Sequence, residues 1–489
     1  MNAFGPGLGE PTSIFWLIFD IALVLYWIGV FVLVISQDRE PTATLAWLLV
    51  LFAVPYVGLV FYFLFGRDWP NIARKSEAAK RGKELLDGFI QQVYAPYRTQ
   101  SEAFEATLGS SNVGRIVSLV DKKVDTPSLP VRTCDIFGDG QEYFDTLIED
   151  LAGAQRFIHM SYFIWRHDEL TARITTVLMD RLAAGVEVRI LNDHLGELAY
   201  SNGELDALRA AGAFVSFDVA RLVRINYRNH RKITVVDAEI GHSGGFNIGQ
   251  EYIDGGKQFS AWRDTGIRIT GPGVADLEKL FGMRWYEVFG EDLFDAQYYP
   301  DPSLPHGKIM VQTVHQGYED PWNSATRSYQ MAIAGARERV MIQSPYFVPD
   351  PTTLDTMINM AAGGVRVDFM TTAWPDKKVP YWAAESYFEQ FLAAGGRIWL
   401  WEPGFFHAKT LTIDGDFCSI GTMNLDMRSL RINKELTIWV YDCEVAARSE
   451  QLFLDDLKDC RELTYEEVLA WSRFRRLRNS VMRLGSHLL

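Results

Sequence analysis

The residues best suited to chemistry occur twice in this chain, in one order and at one spacing. The first copy is NHRKITVVDAEIGHSGGFN at 229–247, and the second is FHAKTLTIDGDFCSIGTMN at 406–424. Each copy contains a histidine, a lysine, an aspartate, a glycine and an asparagine at matching positions. The matched pairs are His230 and His407, Lys232 and Lys409, Asp237 and Asp414, Gly244 and Gly421, and Asn247 and Asn424. Agreement at five fixed positions indicates that both copies serve one function.

The histidine and lysine of each copy are predicted to share one face, because alternate residues of a strand point the same way. The imidazole provides a nucleophile or a proton carrier near neutral pH, and the lysine provides a positive charge. The asparagine amide beyond the glycine turn is placed to donate to an oxygen atom of a phosphate. Two such sets facing each other would surround one phosphorus atom, an arrangement suited to phosphoryl transfer without a metal or cofactor.

The role of the motif aspartates is less determined. Asp237 and Asp414 each stand five residues after the lysine, where a carboxylate can hold a turn or the lysine itself. The sequence favours this structural role, and a direct part in the chemistry is the alternative. Both aspartates are therefore kept among the candidate catalytic residues.

The elements that carry the motifs alternate between helices and strands from about residue 113 onward. Predicted strands at 156–165 and 185–191 have counterparts at 340–347 and 364–371. This alternation indicates an α/β fold with a mostly parallel or mixed sheet between helices, and so long a repeat indicates a duplicated domain. The predicted divisions are a transmembrane hairpin at 1–65, a basic linker at 66–112, α/β domains at 113–300 and 301–446, and a helical tail at 447–489.

Two apolar runs near the N-terminus predict the hairpin. Residues 14–35 contain one charge, Asp20, and residues 44–65 contain none. About 20 apolar residues cross a bilayer as a helix, and Pro55 is expected to kink the second span. A cleaved signal peptide followed by one anchor is the alternative, but no basic stretch precedes residue 14.

Basic residues cluster beside these apolar segments and at the C-terminus. Six lie at 66–83 and only Arg39 lies in the connection between the runs, which favours a cytoplasmic position for residues 66 onward. Residues 471–489 contain five arginines and no acid, with apolar residues at helical spacing. The tail is thus predicted to lie on anionic lipid, with packing on the protein body as the alternative.

Composition excludes several classes of protein. The 489 residues are 48% hydrophobic and 22% charged, which excludes a largely disordered chain. The formal charge of −14 argues against a nucleic-acid partner. The four cysteines form no C-x-x-C pair, so a structural zinc is not expected and reduced, mostly buried thiols are.

The paired motif closely resembles that of the phospholipase D superfamily, and the fuller pattern resembles the bacterial cardiolipin synthases within it. The resemblance covers nearly the whole chain. Departures are Gly266, where the family usually has histidine, and the ending GSHLL. The pieces that carry it are PTATLAW and FGR near the second apolar run, GGFNIGQEY, WRDT at Trp262–Thr265, GTMNLDMRS and NKE.

The resemblance implies two α-β-α sandwiches related by a pseudo-twofold axis, with the site between them, in a bacterial inner membrane. It implies a ping-pong reaction in which two phosphatidylglycerols give cardiolipin and glycerol. By analogy His230 attacks phosphorus and His407 moves the proton, and the pseudo-symmetry leaves the reverse order open. Glu435 is expected to orient the second histidine, Asp264 the first, and Thr422 is expected to add a hydroxyl to the phosphate site.

Other assignments remain open at this point. A phospholipase D, a phosphatidyltransferase with another lipid such as phosphatidylethanolamine, a nuclease, and a membrane-anchored lipid-binding scaffold would share the fold. The acidic body argues against the nuclease, and the intact histidines and lysines argue against the scaffold. An anionic phospholipid and the membrane are the expected partners, and an oligomer is compatible with the sequence. Aromatic residues near the motifs would line a lipid path or pack in the core, and these are Tyr162, Phe163, Trp165, Tyr346, Phe347 and Phe405.

Overall fold

The computed structural model describes residues 11–36, 41–66, 77–193, 203–218, 228–317, 320 and 322–486. The described residues up to 66 belong to one compact unit, and those from 77 onward belong to a second. Much of the predicted basic linker, including Arg67, Arg74 and Lys75, lies outside the described residues, as does the end of the GSHLL segment.

The N-terminal unit contains one helix long and apolar enough to cross a membrane, at Ile14–Ile35 within α1 (Pro11–Ile35). The second predicted span is not one helix. It is divided into α2 (Pro41–Ala53), α3 (Pro55–Phe61) and a π-helical turn, Tyr62–Gly66. The break falls at Val54, since the ring of the following proline disfavours a helical conformation in the residue before it. The division agrees with the expected kink at Pro55, and the described residues show one candidate span where two were predicted.

The second unit is a mixed α/β structure in which each sheet alternates with helices. Its helices are α4 (Glu77–Tyr94), α5 (Arg98–Leu108), α6 (Asn112–Val124), α7 (Gly140–Gly153), α8 (Glu169–Ala183), α9 (Gly203–Ala210), α10 (Glu251–Asp254), α11 (Val274–Phe289), α12 (Ser324–Ala334), α13 (Pro351–Ala362), α14 (Lys378–Ala393), α15 (Met427–Arg431), α16 (Cys443–Leu457), α17 (Tyr465–Leu469) and α18 (Arg473–Arg483). Single 3₁₀ turns occur at Ala95–Tyr97 and Ala296–Tyr298.

The strands form two large sheets and one short pair. They are β1 (Leu129–Val131), β2 (Thr133–Phe137), β3 (Phe157–Tyr162), β4 (Glu187–Asp193), β5 (Phe214–Asp218), β6 (Ile233–Val236), β7 (Ile240–Gly244), β8 (Trp262–Arg263), β9 (Gly266–Thr270), β10 (Ile309–Gln316), β11 (Arg339–Gln343), β12 (Arg366–Thr372), β13 (Arg397–Trp401), β14 (Phe405–Phe406), β15 (Thr410–Ile413), β16 (Phe417–Gly421), β17 (Glu435–Tyr441) and β18 (Cys460–Leu463).

The two sheets repeat one topology. The first has the order β2-β9-β7-β6-β3-β4-β5, and the second has β10-β17-β16-β15-β11-β12-β13 with β1 and β18 added at its edges. In each sheet three parallel strands adjoin an antiparallel group. The motif hairpins, β6–β7 and β15–β16, occupy matching places beside β3 and β11. The predicted duplicated α/β fold is confirmed.

A shared apolar core joins the two halves. Side chains of the first sheet, such as Ile267 and Ile269, belong to one buried cluster with Cys418, Ile420 and Ile438 of the second. The cysteines are all free thiols, and two of them, Cys134 and Cys418, lie buried in this cluster. Because apolar packing joins the halves, the ends of the motif strands from both halves meet at the interface between the halves. We call this interface the seam.

Candidate active site

Backbone hydrogen bonds across the seam fix the position of each motif histidine. The His230 N–H donates to the Lys434 carbonyl at 2.9 Å, and the His407 N–H donates to the Arg263 carbonyl at 2.7 Å. The second contact continues the parallel pairing of β14 with β8, which joins strands of different halves. Each histidine is therefore held by a segment of the opposite half.

The orienting acids are exchanged between the halves. The Nδ1 atom of His230 donates to Oε2 of Glu435 at 3.0 Å, and Nδ1 of His407 donates to Oδ2 of Asp264 at 2.5 Å. Both carboxylates are completely buried. The prediction that Asp264 orients His230 and Glu435 orients His407 is wrong, because the seam brings each acid next to the histidine of the other half. Both acids nonetheless belong to the site, as predicted.

The glycine of each motif allows this exchange. A Cβ atom at Gly244 would lie 2.4 Å from the Thr265 carbonyl oxygen, and one at Gly421 would lie 2.4 Å from the Leu436 carbonyl oxygen. Each motif turn therefore packs directly on the backbone beside its own half's acid. At Gly245 an added Cβ would lie 1.8 Å from Oδ1 of Asp264, so this position needs a glycine for the carboxylate to reach the seam.

Thr422 follows the glycine Gly421 in the second copy. Its hydroxyl is hydrogen-bonded to the acid Glu435, whereas the sequence predicts that it adds to a phosphate site. Thr422 Oγ1 donates to Glu435 Oε2 at 2.5 Å, and Ser429 Oγ donates to the other carboxylate oxygen at 2.9 Å. Arg231 adds a guanidinium bond to the Glu435 carbonyl at 3.1 Å. Sequence reasoning missed Ser429 and Arg231, although Arg231 lies within the first motif.

The two lysines form the positive centre of the site. Both are buried, and each donates through Nζ to the carbonyl of its motif histidine, Lys232 to His230 at 2.8 Å and Lys409 to His407. Burial lowers the pKa of Lys232 to about 7 and that of Lys409 to about 8, because the charged form loses its hydration. The carboxylates of Glu435 and Asp264 act in the opposite direction and do not cancel this effect. A phosphodiester anion between them would restore the charged state.

The charges of both lysines lower the pKa of each motif imidazole. Burial lowers the pKa of His407 to about 3, and the charges of Lys409 and of Lys232 add to this effect. Burial also lowers the pKa of His230, against the opposing influence of Glu435. Since the charge of each lysine reaches the histidine of the other motif, the two His/Lys pairs act on one common region. That the two sets surround one phosphorus atom stays a prediction of the paired motif.

The acids are ionised in this setting. Burial alone would raise the pKa of Asp264, but Lys409 and His407 outweigh it and hold the pKa below its usual value. His230 and Lys232 do the same for the pKa of Glu435. Each carboxylate can therefore stabilise an imidazolium that forms during a reaction, and it leaves Nε2 as the reacting atom of its imidazole.

The motif aspartates hold turns at the far ends of the motif strands. The Asp237 carboxylate accepts the backbone N–H groups of 155, 156 and 157 at 2.7–2.9 Å, and Asp414 accepts those of 337, 338 and 339 at 2.8–2.9 Å. Both residues have positive φ angles, 54° and 52°. A four-residue strand, about 13 Å long, separates each from its lysine. The structural role is therefore supported, and the assignment of these two as catalytic residues is corrected.

The motif asparagines differ between the halves. Asn247 accepts the Ile164 N–H at 3.1 Å and donates to the Tyr252 hydroxyl at 3.0 Å, so it braces the loop after β3. Asn424 is nine-tenths buried, and among the described residues its Oδ1 atom has no hydrogen-bond partner. Binding of phosphate by these amides remains a prediction. Only the Nδ2 group could donate to a phosphate oxygen, and the Asn424 side chain also hydrogen-bonds Asp426.

Some of the expected aromatic residues line the site and others do not. The ring of Phe163 lies 5.3 Å from that of His230, and Phe405 and Trp262 lie 5.6 and 5.3 Å from that of His407. The rest are placed elsewhere: Tyr162, Trp165 and Phe347 are core residues, and the Tyr346 hydroxyl donates to Asp376. Gly266, the departure from the family pattern, packs against the Tyr143 ring and leaves the site intact.

Comparisons with known proteins agree with this geometry. A family model described as "Cardiolipin synthase, PLD-like domain" matches residues 147–285 and 329–457, and "Phospholipase_D-nuclease N-terminal" matches residues 14–67. The match to the first model covers two segments of this chain, and each segment contains one copy of the motif.

Curated relatives cover almost the whole chain. The chain is 32% identical to the major cardiolipin synthase ClsA of Bacillus subtilis (strain 168) over 98% of this chain and all of the relative. It is 35% identical to the cardiolipin synthase of Geobacillus kaustophilus (strain HTA426) over 94% of this chain and 91% of the relative.

A solved structure shares the fold. The phosphatidylserine synthase of Haemophilus influenzae Rd KW20 aligns with a TM-score of 0.61 at 16% identity, over 76% of this chain and all of that protein. The two-segment family match, the near full-length relatives and the paired site lead to one conclusion. The chain belongs to the cardiolipin synthase family of phospholipase D-like enzymes.

Proposed function

We propose that this enzyme transfers a phosphatidyl group from one phosphatidylglycerol to the headgroup hydroxyl of another, giving cardiolipin and glycerol. The observation that carries the proposal is the crossed pair of imidazoles, each bound through Nδ1 to a buried carboxylate of the opposite half. Two ammonium groups beside them supply the charge that a phosphodiester needs. The names of the relatives support the choice of lipid product.

In the first step Nε2 of His230 attacks phosphorus, and the bond from phosphorus to the headgroup oxygen breaks. The departing glycerol oxygen takes a proton from Nε2 of His407, and a phosphatidyl-histidine is left on His230. Glu435 stabilises the positive charge that develops on the attacking ring, and the ammonium groups of Lys232 and Lys409 stabilise the charge on the phosphoryl oxygens.

In the second step the incoming headgroup hydroxyl gives its proton to His407, and its oxygen attacks the phosphorus. The bond from phosphorus to nitrogen breaks, which frees His230 and completes the new phosphodiester. One phosphodiester replaces another, so the exchange requires no external energy source. Preference for a lipid alcohol over water follows from a site buried among Phe163, Phe405 and Trp262, which excludes bulk water.

The order of the imidazoles is part of the proposal. The resemblance assigns the nucleophile to His230 and the proton transfer to His407. Because the pKa of His407 is about 3 before substrate binds, this ring must gain its proton as the phosphodiester anion enters. The neutral ring also suits a nucleophile, and the reverse order is the assignment to be distinguished by mapping the adduct.

The membrane arrangement is a further part of the proposal. The helix at Ile14–Ile35 crosses the inner membrane of a bacterium, and α2 and α3 together with the π-helical turn complete a return span. The excess of bases after residue 66 supports a cytoplasmic catalytic unit. A catalytic unit anchored in this way meets its substrate in the plane of the bilayer.

The central experiment supplies the purified full-length protein with labelled phosphatidylglycerol in vesicles. Equal amounts of cardiolipin and free glycerol are expected. Phosphatidic acid as the main product would instead identify a hydrolase, and a mixed lipid product formed when phosphatidylethanolamine is added would broaden the substrate class.

Histidine variants provide the controls. His230→Ala and His407→Ala should abolish turnover, whereas His167→Ala, a change at an exposed histidine paired with Glu204, should retain it. His407→Ala protein that is given phosphatidyl nitrophenol, whose leaving group needs no proton, and is then quenched in alkaline detergent should carry a phosphatidyl adduct on His230. An adduct on His407 in the wild-type protein would reverse the assigned roles, and unchanged turnover in both active-site variants would refute the mechanism.

A further inference from the structure

The C-terminal helix α18 lies on the second unit with its polar side inward and its apolar side outward. Four apolar side chains at spacings of three and four residues form one stripe along it. The exposed fractions are 78% for Phe474, 64% for Leu477, 48% for Val481 and 83% for Leu484. We call these four residues the outer stripe. A helix of a soluble domain ordinarily turns such a stripe toward the core.

Ion pairs with α14 fix this inverted orientation. Glu385 is almost fully buried and binds two guanidinium groups, those of Arg475 and, at 2.7 Å, Arg478. Arg476 binds Glu389 at 2.8 Å. Turning the outer stripe inward would leave a buried carboxylate without a partner, which is costly. Three of the five arginines therefore bind acids of α14, as the alternative of packing on the protein body requires.

Of the remaining two arginines, Arg473 directly precedes the outer stripe and Arg483 packs on α14. Arg473 and Arg483 are exposed, and neither has a carboxylate partner among the residues that the structure describes. The Arg483 guanidinium lies over the Tyr387 ring at 4.4 Å. Residues 471–489 contain no acid. The exposed surface thus combines a large apolar stripe with uncompensated positive charge.

We propose that the outer stripe docks on the surface of an anionic phospholipid bilayer, with Arg473 bound to a lipid phosphate. Apolar side chains flanked by arginines are typical of helices that lie in the headgroup region. A second copy of this chain is a poorer occupant, because a symmetric contact between two α18 helices would bring like charges together. The inference is independent of the proposed chemistry, since no residue of the stripe contacts the active site.

A fluorophore attached to the stripe tests the proposal. The full-length protein carries Cys443→Ser, which removes the exposed native thiol, and Leu477→Cys for labelling. It is reconstituted in vesicles of phosphatidylglycerol and phosphatidylcholine that contain a lipid with a nitroxide quencher near the top of its acyl chain. Strong quenching is expected at position 477, and little is expected for a label at Glu149→Cys, an exposed position on α7.

Two further variants test the chemistry of the contact. Arg473→Gln should lower the docked-to-undocked ratio about fivefold in anionic vesicles and have little effect in purely zwitterionic ones. Phe474→Ser with Val481→Ser should abolish quenching at position 477. Both sets should retain wild-type turnover in detergent micelles, and the quenching signal stands as a measurement even for a protein without turnover.

Three results would overturn the proposal. One is a label at position 477 that is not quenched in anionic vesicles. Another is equal quenching at position 149, which would indicate unspecific partitioning of the fluorophore. The third is a label at position 477 whose emission is blue-shifted in lipid-free detergent and which is not quenched after reconstitution with nitroxide lipid. That result would identify a protein segment or a second copy as the occupant.

Discussion

The exchange of acids between the halves predicts which acid variant disables which histidine. Glu435→Gln keeps the shape of the side chain and removes its charge, so His230 loses the carboxylate that lies 3.0 Å from Nδ1. A charge pair at about 4 Å contributes about 4 kcal/mol at an effective dielectric constant of 20, which corresponds to roughly a thousandfold in rate. We expect that loss in the step that forms the adduct on His230.

The assay isolates this step with a donor that needs no proton donor. Phosphatidyl nitrophenol releases nitrophenolate without protonation, so a His407→Ala protein should still give a burst with one equivalent of product. Adding Glu435→Gln to this protein should slow the burst about a thousandfold. Adding Asp264→Asn should slow it less than about tenfold, because the imidazole that Asp264 binds is already absent.

Controls make the result decisive. Glu450→Gln removes a carboxylate that binds Arg339, with 2.6 Å between Oε1 and Nη1. This pair does not include a motif histidine, so the substitution should leave the burst unchanged. If the adduct forms on His407, the mirror experiment with His230→Ala applies, and Asp264→Asn becomes the damaging change. The crossed arrangement would be refuted if the burst were slowed by substituting the acid in the same half as the nucleophilic histidine and unaffected by substituting the acid in the other half.

Three other predictions follow from the site and its supports. The value of kcat/KM should fall above about pH 7 as free Lys232 loses its proton, and Lys232→Arg, whose charge persists, should move this limb to about pH 8 in a pH–rate profile, where Lys409 loses its proton. Gly245→Ala should displace Asp264 and lower both kcat, about a hundredfold, and Tm, because the added Cβ would overlap a buried carboxylate, whereas Gly153→Ala, where an added Cβ meets nothing within 4 Å, should be neutral in both measurements. Asp414→Ala should lower the free energy of unfolding by about 3 kcal/mol in denaturant titrations with kcat unchanged. Because the pKa of Asp414 is held below its usual value, the full difference should be present above about pH 4, and the part that depends on the ionised carboxylate should be lost as pH falls through the folded-state pKa.

The repeated motif made much of the site predictable. A strand that carries histidine and lysine in alternation must place both on one face, and two matching copies indicate matching places in two sheets. The observed hairpins β6–β7 and β15–β16 occupy such places. The turn function of Asp237 and Asp414 was also the favoured expectation, since both follow a short β-branched run.

The partner of each histidine was not predictable in the same way. Sequence proximity associates Asp264 with the first motif and Glu435 with the second, but contacts across the seam depend on how two sheets pack. Packing of side chains such as Ile267 against Ile438 decides that geometry, and apolar residues of similar size would permit other registers.

The sequence does not predict the orientation of α18, for a related reason. Spacing alone predicts an amphipathic helix, and it does not reveal which face meets the protein. Glu385, nearly a hundred residues earlier in the chain, decides the matter by binding Arg475 and Arg478. Such long-range charge pairs leave no periodic signature in the sequence.

The crossed acids have a consequence for how the enzyme can be divided. Either half by itself would hold an imidazole without its carboxylate and a carboxylate without its imidazole. Separately produced halves would therefore be inert alone and would regain turnover only after reassociation. A single inactive half could not be rescued by small-molecule imidazole, since its neighbour also supplies a lysine and the acid that orients its own histidine.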